Sequence, residues 1–291
     1  MSLELLAQLT VSGLVVGSTY ALLGVSFGVI YQTTKIFHLA HAVPYAAAAY
    51  GTVWAAEQFN LPLLLACLVG LIIAVLLGLA IEILAYSPMR KKGATLLALF
   101  LVSLGITVAF PNLLQIVFGP DNKSLPGLAV VTYELGSVTV TQHDLISIAV
   151  SLVFIGAGIL FIDRTRFGRA VTAMRTNPMM AAAVGIDGRV VYLVVFAMGS
   201  LLAGVASLLF VTDGVATPTM GFAPVLTGFI AAFLGGIGSL WGAALGGVLL
   251  GLASSWSALF LPINYGPVVV FGAMFIVLLI RPHGLLGKEE V

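Results

Sequence analysis

The residues best suited to specific chemistry lie in the polar stretch Asp163–Arg189. It holds Arg164, Arg166, Arg169, Arg175 and Arg189, five of the twelve basic residues in a chain of 291. Asn177-Pro178 reads as a helix start, because Asn can cap free backbone N–H groups and Pro suits the first helical position. Met179–Val184 continues as a helix former, and Gly185 is placed to end it. Before it, Gly168–Thr176 reads as a second short helix, with Arg169 and Arg175 on polar positions and Val171 and Met174 on an apolar one. This chemistry suits docking rather than bond making. Met and Ala exposed on such helices need a protein cover or, in the other reading, an anionic lipid surface.

Other reactive side chains are sparse. His38 and His41 are spaced i and i+3 without a carboxylate or third ligand, which is a poor metal site. A hydrogen-bonding role in helix packing or at a pathway mouth fits them better. Glu82 falls near the inner end of an apolar run, where it could reach the membrane interface. Cys67, the one cysteine, reads as a small apolar residue. The tail Gly284–Lys288 lacks the spacing and the hydroxyl residue of a phosphate-binding loop. With no nucleophile-and-base arrangement in view, the chain is not expected to be an enzyme or to bind a cofactor.

The elements that must position these residues are membrane spans. The chain is 60% hydrophobic and 8% charged, with a mean hydropathy of +1.16, against about 25% charge in a soluble domain. A spanning helix needs about 20 apolar residues. Candidates are Leu5–Tyr31, Ile36–Ala56, Leu61–Tyr86, Ala94–Phe118, Leu145–Ile162, Val190–Val211, Ala223–Ile237, Trp241–Leu261 and Pro267–Ile280. The expectation is an all-α polytopic membrane protein, one domain over 1–291, with eight to ten transmembrane helices and nine as the working count. With the N-terminus outside, nine spans put every Lys and Arg except Lys123 on the inner side. That asymmetry makes 163–189 cytoplasmic and the C-terminus internal. The longest external connection is 119–144. Within it, Val130–Leu135 and Val138–Thr141 flank Gly136-Ser137, which reads as a β-hairpin or else an irregular loop.

Gly17-Ser18 in the first span and Gly199-Ser200 in the sixth are each followed by an apolar segment with an early proline, Pro44 and Pro224. The two spans run in opposite directions, so an inverted repeat is possible, and paired Gly/Pro-interrupted segments point to a transport pathway. His38, His41 and Tyr45 on one segment, and Phe222, Pro224 and Thr227 on the other, are the expected lining. In the alternative, the histidines bond neighbouring helices and Tyr45 anchors at the interface. Gly242, Gly246, Gly247 and Gly251 suggest close helix packing rather than a pore wall.

The run Gly168-Arg-Ala-x-x-Ala-x-Arg175-x-Asn177-Pro178-x-x-Ala181-x-x-x-Gly185-Ile186-Asp187 resembles the cytoplasmic coupling loop of the branched-chain amino acid type of ABC importer permeases. Gly17-Ser-x-Tyr20-Ala21-Leu22 followed by Ile36–His41 resembles that family's first block. Pro88-Met-Arg90 resembles its first inner loop, Phe118–Pro126 an external loop, and Ile280–Leu285 its last inner segment. The resemblance implies a bacterial inner-membrane permease subunit. Gly168, Arg169, Arg175, Asn177, Pro178, Ala182 and Gly185 would take part in coupling to two cytoplasmic ATP-binding subunits. A second homologous permease and a periplasmic or extracellular substrate-binding protein would complete the importer. Where family members read Asn-Phe-Ala-His-Gly, this chain has His38-Leu-Ala-His41-Ala42. The implied substrates therefore extend from branched-chain amino acids to urea, short amides and small carboxylic or aromatic acids. The competing reading is a self-sufficient secondary transporter. It is favoured by the possible repeat and opposed by the lack of intramembrane Asp, Glu or Arg pairs. A structural or channel-like protein would leave the Asn-Pro helix unexplained.

Overall fold

A computed structural model describes residues 3–125, 131–262 and 265–287. In order, the helices are α1 (Leu3–Thr34), α2 (Ala42–Phe59), α3 (Leu63–Ile81), α4 (Ser87–Lys91) and α5 (Leu96–Phe118). After the strands β1 (Thr132–Leu135) and β2 (Val138–Thr141) come α6 (Gln142–Arg164), α7 (Arg166–Thr176), α8 (Pro178–Ala183), α9 (Gly188–Val211), α10 (Phe222–Gly235), α11 (Leu240–Ser257) and α12 (Gly266–Ile280). A 3₁₀ turn at Leu39–His41 precedes α2, and a π-turn at Glu82–Tyr86 joins α3 to α4. The chain divides into two compact units, Met1–Gly28 with Gly127–Gly156 and Thr227–Val291, and Val29–Pro126 with Ala157–Leu226.

Among the described residues, six helices are long and apolar enough to cross a membrane: Leu3–Thr34, Leu63–Lys91, Leu96–Phe118, Gln142–Arg164, Gly188–Val211 and Leu240–Ser257. This is fewer than the expected eight to ten. The shortfall has a physical cause. The apolar helices α10 and α12 have only 14 and 15 residues, about 21 and 22 Å of rise against a hydrocarbon core of about 30 Å. The third missing element, α2, is long enough at 18 residues but mixes Ala with Pro, Tyr, Gly, Glu and Gln, so it is not apolar enough to count.

In the larger unit, α2 packs against α3 and α9 through small residues. A side chain at Gly70 would strike Thr52 and the Ala48 carbonyl, one at Gly78 would strike Ser200, and Gly204 lies against Ala48 and Ala74. Lipid offers no hydrophobic drive for helix association, so this close van der Waals fit has to hold the bundle together.

The other unit uses the same device. On α11, Gly242 and Gly246 meet the α10 backbone at Gly235 and Ala231, whereas Gly247 and Gly251 meet α1 at Ala21 and Gly17. The glycines therefore pack, as expected, and they do so on two faces of α11. The hairpin forms with a two-residue connection, Leu135 pairing with Val138 and Gly136 at φ +69°. Val130, expected in its first strand, and Pro126 lie outside the described residues, as does Lys288 near the C-terminus. The Gln8 side-chain amide adds a third edge to the hairpin: its Nε2 donates to the Thr139 carbonyl at 3.0 Å and its Oε1 accepts from the Thr139 N–H at 2.9 Å.

Gly251→Val is expected to destabilise the protein by about 1–3 kcal/mol through overpacking against α1. At Gly105, by contrast, an added methyl meets nothing within 4 Å, and Gly105→Val should be neutral. Thermal midpoints of the purified chain in detergent would separate the two, and equal midpoints would refute the α1–α11 contact.

Candidate functional site

The expected helix pair forms as α7 and α8, and its ends are set by local chemistry. Thr165 Oγ1 accepts from the Gly168 N–H at 3.0 Å and caps α7. Gly168 is buried where α7 turns under the end of α6, and a Cβ there would collide with the Ile162 carbonyl. Val171 and Met174 face inward with Gly168, whereas Arg169 is exposed. Arg175 donates through Nη1 to Gln32 Oε1 at 2.9 Å, tying α7 to the C-terminal end of α1.

Asn177 Oδ1 accepts from the Met180 N–H at 3.0 Å, and Pro178 occupies the first turn of α8. At the other end Gly185, at φ +87°, donates to the Ala182 carbonyl, while Ile186 donates to the Ala181 carbonyl, both at 3.0 Å. These two bonds form a Schellman motif, which needs the left-handed residue that glycine supplies. Of the α8 side chains, Ala181 turns inward. Met179 (82% exposed), Met180, Ala182, Ala183 and Val184 (75% exposed) form an open apolar face. Arg169 on α7 and Asp187 after α8 are exposed as well.

The six expected pathway residues do not share one setting. His38 and His41 are 0% and 1% exposed, and Tyr45 is also buried. The His38 Nδ1 is 2.8 Å from the Tyr86 hydroxyl, and the His38 ring stacks edge-on with Phe196 at 5.1 Å. Beside it the Ala40 N–H donates to Ser103 Oγ at 2.8 Å. This geometry serves packing. Pro44 and Pro224 lie in the first turns of α2 and α10, where a missing N–H costs nothing, so they mark helix starts rather than interior breaks.

A cavity of about 540 Å³ opens where these starts meet α5. Ala42, Val43 and Ala46 of α2 line it, with Thr107, Pro111, Asn112 and Gln115 of α5 and Pro218, Thr219, Gly221, Phe222 and Ala223 before and within α10. Phe222 is thus the expected residue that borders it. Pro224 is half-buried two residues along the same helix, and Thr227 follows. Pro111 interrupts α5 in its interior and leaves the Thr107 carbonyl without its usual helical donor at the cavity wall. The polar side of the cavity was readable in the sequence. Thr107, Pro111 and Gln115 recur at helical spacing in an otherwise apolar run.

Glu82 departs from expectation. It is 1% exposed and paired with Arg90, instead of reaching the interface. Eight residues in a regular helix leave two side chains about 80° apart. The π-turn adds one residue to the turn and brings them onto one face. Arg90 also lies 4.1 Å over the Tyr192 ring. Among the described residues, no group of three or more His, Cys, Asp or Glu gathers as a metal site.

Fold and site together define a polytopic helical membrane protein with a short capped helix, open on its apolar face, on a polar connection. Residues 9–279 match the family described as "Branched-chain amino acid transport system / permease component", and the chain belongs to that family. It is 32% identical to the high-affinity branched-chain amino acid transport system permease protein BraD of Pseudomonas aeruginosa, over 98% of this chain and 96% of that one. It is also 32% identical to LivH of Escherichia coli K12 (96% and 95% covered), and 26% identical to a probable LivH of Methanocaldococcus jannaschii (92% and 88%). PsaBC from Streptococcus pneumoniae, solved in complex with Fab, shares the fold at a TM-score of 0.50 and 14% identity, covering 94% of this chain and 91% of that one. The chain is therefore a membrane permease component and not an enzyme.

Gly185→Ala should cost α8 about 1 kcal/mol or more by forcing a Cβ into the left-handed region. Hydrogen exchange of peptides covering 181–186 is expected to quicken several-fold, with Gly185→Asn showing a smaller change. Unchanged exchange in Gly185→Ala would refute the cap.

Proposed function

We infer that the chain is the membrane-spanning subunit of an ATP-driven importer that receives substrate from an external binding protein. The substrate is a branched-chain amino acid or a related small amide or carboxylic acid. The observation that carries this reading is the doubly capped α8, whose Met179, Met180, Ala182 and Val184 face is built but uncovered. Two cytoplasmic ATP-binding subunits, one per permease of a homologous pair, would cover such faces. Gly168, Asn177, Pro178 and Gly185 shape the loop, Arg169 and Arg175 flank it, and Ala182 sits on the contact face. Closure of the ATPases on nucleotide would push α7 and α8, and through the Arg175–Gln32 bond the inner end of α1. The importer works if nucleotide and docked binding protein favour different access states. This chain itself would bind no cofactor.

In this reading the chain lies in the bacterial cytoplasmic membrane with its N-terminus outside and C-terminus inside. It crosses eight to ten times, α2, α10 and α12 adding to the six long helices, with an inverted repeat about the Gly-Ser pairs. Support comes from Gln8, near the start of α1, bonding to the external hairpin, and from Lys123 pairing with Ala216 after α9. The pathway would pass the cavity at Phe222, Pro224 and Thr227, with His38, His41 and Tyr45 holding its base. The wall offers amide and hydroxyl groups without charge, so a small solute would cross without being held tightly and selection would fall to the binding protein. The buried Glu82–Arg90 pair favours a secondary transporter, since such pairs can couple ions, but that reading leaves the α8 face unexplained.

Ala182→Asp should leave membrane insertion intact while uncoupling ATP hydrolysis from uptake in the reconstituted importer. Transport at the wild-type rate would sink the reading. For topology, single cysteines at Ser2 and Lys288, in a Cys67→Ala background, should label from outside only at the first; labelling of both ends would mean an even number of crossings.

A further inference from the structure

A smaller cavity of about 130 Å³ lies at the inner ends of α3 and α9, bordered by Glu82, Ile83, Ser87, Pro88, Lys91, Arg189 and Leu193. Its charges are of both signs and incompletely used. Arg90 engages Glu82 through Oε1, while Glu82 Oε2 and Arg90 Nη1 are both buried with no hydrogen-bond partner among the described residues. A buried carboxylate oxygen and a buried guanidinium N–H left in that state both cost free energy, so a ligand that brings a donor and an acceptor together is called for. Across the cavity Lys91 and Arg189 are exposed cations, and among the described residues neither is paired with a carboxylate. The Asp187 carboxylate next to Arg189 accepts from the Arg189 backbone N–H, fixing the start of α9.

We propose that this cavity binds the headgroup of a membrane phospholipid carrying both a phosphate and a primary ammonium, as phosphatidylethanolamine does. The ammonium donates to Glu82 Oε2, and the phosphate is held by Lys91 and Arg189 with the Ser87 hydroxyl within the same cavity. Two features place the ligand in the bilayer rather than in solution. The cavity sits where apolar spans give way to basic residues, the level of lipid phosphates. Beside Glu82, Ile83 and Leu84 are exposed on the π-turn, offering an apolar surface along which acyl chains can run. A bound headgroup would brace the π-turn against α9, next to the loop that leads out of α8.

The test is lipid retention by the full-length purified chain, read by native mass spectrometry during titration with phosphatidylethanolamine, phosphatidylcholine and phosphatidylglycerol. Phosphatidylethanolamine should be retained about tenfold better than phosphatidylcholine, whose methylated nitrogen has no N–H to give. Glu82→Gln should reduce it to the phosphatidylcholine level. Because that change also weakens the pair with Arg90, Lys91→Gln/Arg189→Gln serves as the second arm. It should weaken phosphatidylethanolamine and phosphatidylglycerol alike, by about fivefold per cation. Equal retention of phosphatidylethanolamine and phosphatidylcholine by the wild type, or unchanged retention in the double variant, would overturn the proposal. So would displacement of the lipid by free leucine or O-phosphoethanolamine, which would assign the cavity to a soluble zwitterion. The readout involves no transport, so its failure leaves the importer reading untouched.

Discussion

Backbone polar groups buried away from water must find partners within the protein, and that constraint shapes the segment on which much of the larger unit depends. Residues 35–41 leave the helical pattern between α1 and α2, yet their amides find partners one by one. Lys35, at φ +57°, donates to the Tyr31 carbonyl at 2.8 Å. The Ile36 N–H finds Thr34 Oγ1 at 3.2 Å, and the Ala40 N–H finds Ser103 Oγ at 2.8 Å. Each bond recruits a neighbour. Ser103 brings α5 against the turn, and Tyr86, bonded to His38, brings the end of α3. Buried irregular backbone survives only when its polar groups are satisfied in this way, so the break in the chain organises the helices around it.

From that enclosure follows the placement of the 540 Å³ cavity. The turn delivers α2 into the bundle with small residues at its start, Ala42, Val43 and Ala46, and leaves room in front of α5. Pro111 then roughens the α5 wall. A site of modest polarity arises from two backbone irregularities rather than from charged side chains.

What could be read from the sequence was what local chemistry decides. Asn177-Pro178 and Gly185 bounded α8 correctly because caps act over three or four residues. Gly136-Ser137 specified the hairpin for the same reason. The family run Gly168–Asp187 was legible too, since its residues serve caps and close approaches that tolerate few substitutes. Tertiary pairing was not legible. Arg175 finds Gln32 across 143 residues, and Glu82 meets Arg90 only because a π-turn alters the helical phase. Pro44 and Pro224 misled because proline reads alike at a helix start and at an interior break. Span counting was only partly legible, because α10 and α12 are short and α2 mixes Ala with polar residues, so length and hydropathy single out six helices.

Six residues are too few to hold a helix in water, where isolated helices need about 12–15. The α8 segment nevertheless stands formed, with Asn177 at one end, the Gly185 turn at the other and Ala181 buried beneath it. A partner that meets it need not order it, so little conformational entropy is lost on contact. A short rod clamped at both ends also cannot absorb a push by bending or unravelling. In the importer reading, displacement applied to Met179 or Val184 would be handed on to α7 and α9, and the segment would serve as a stiff lever rather than a flexible tether.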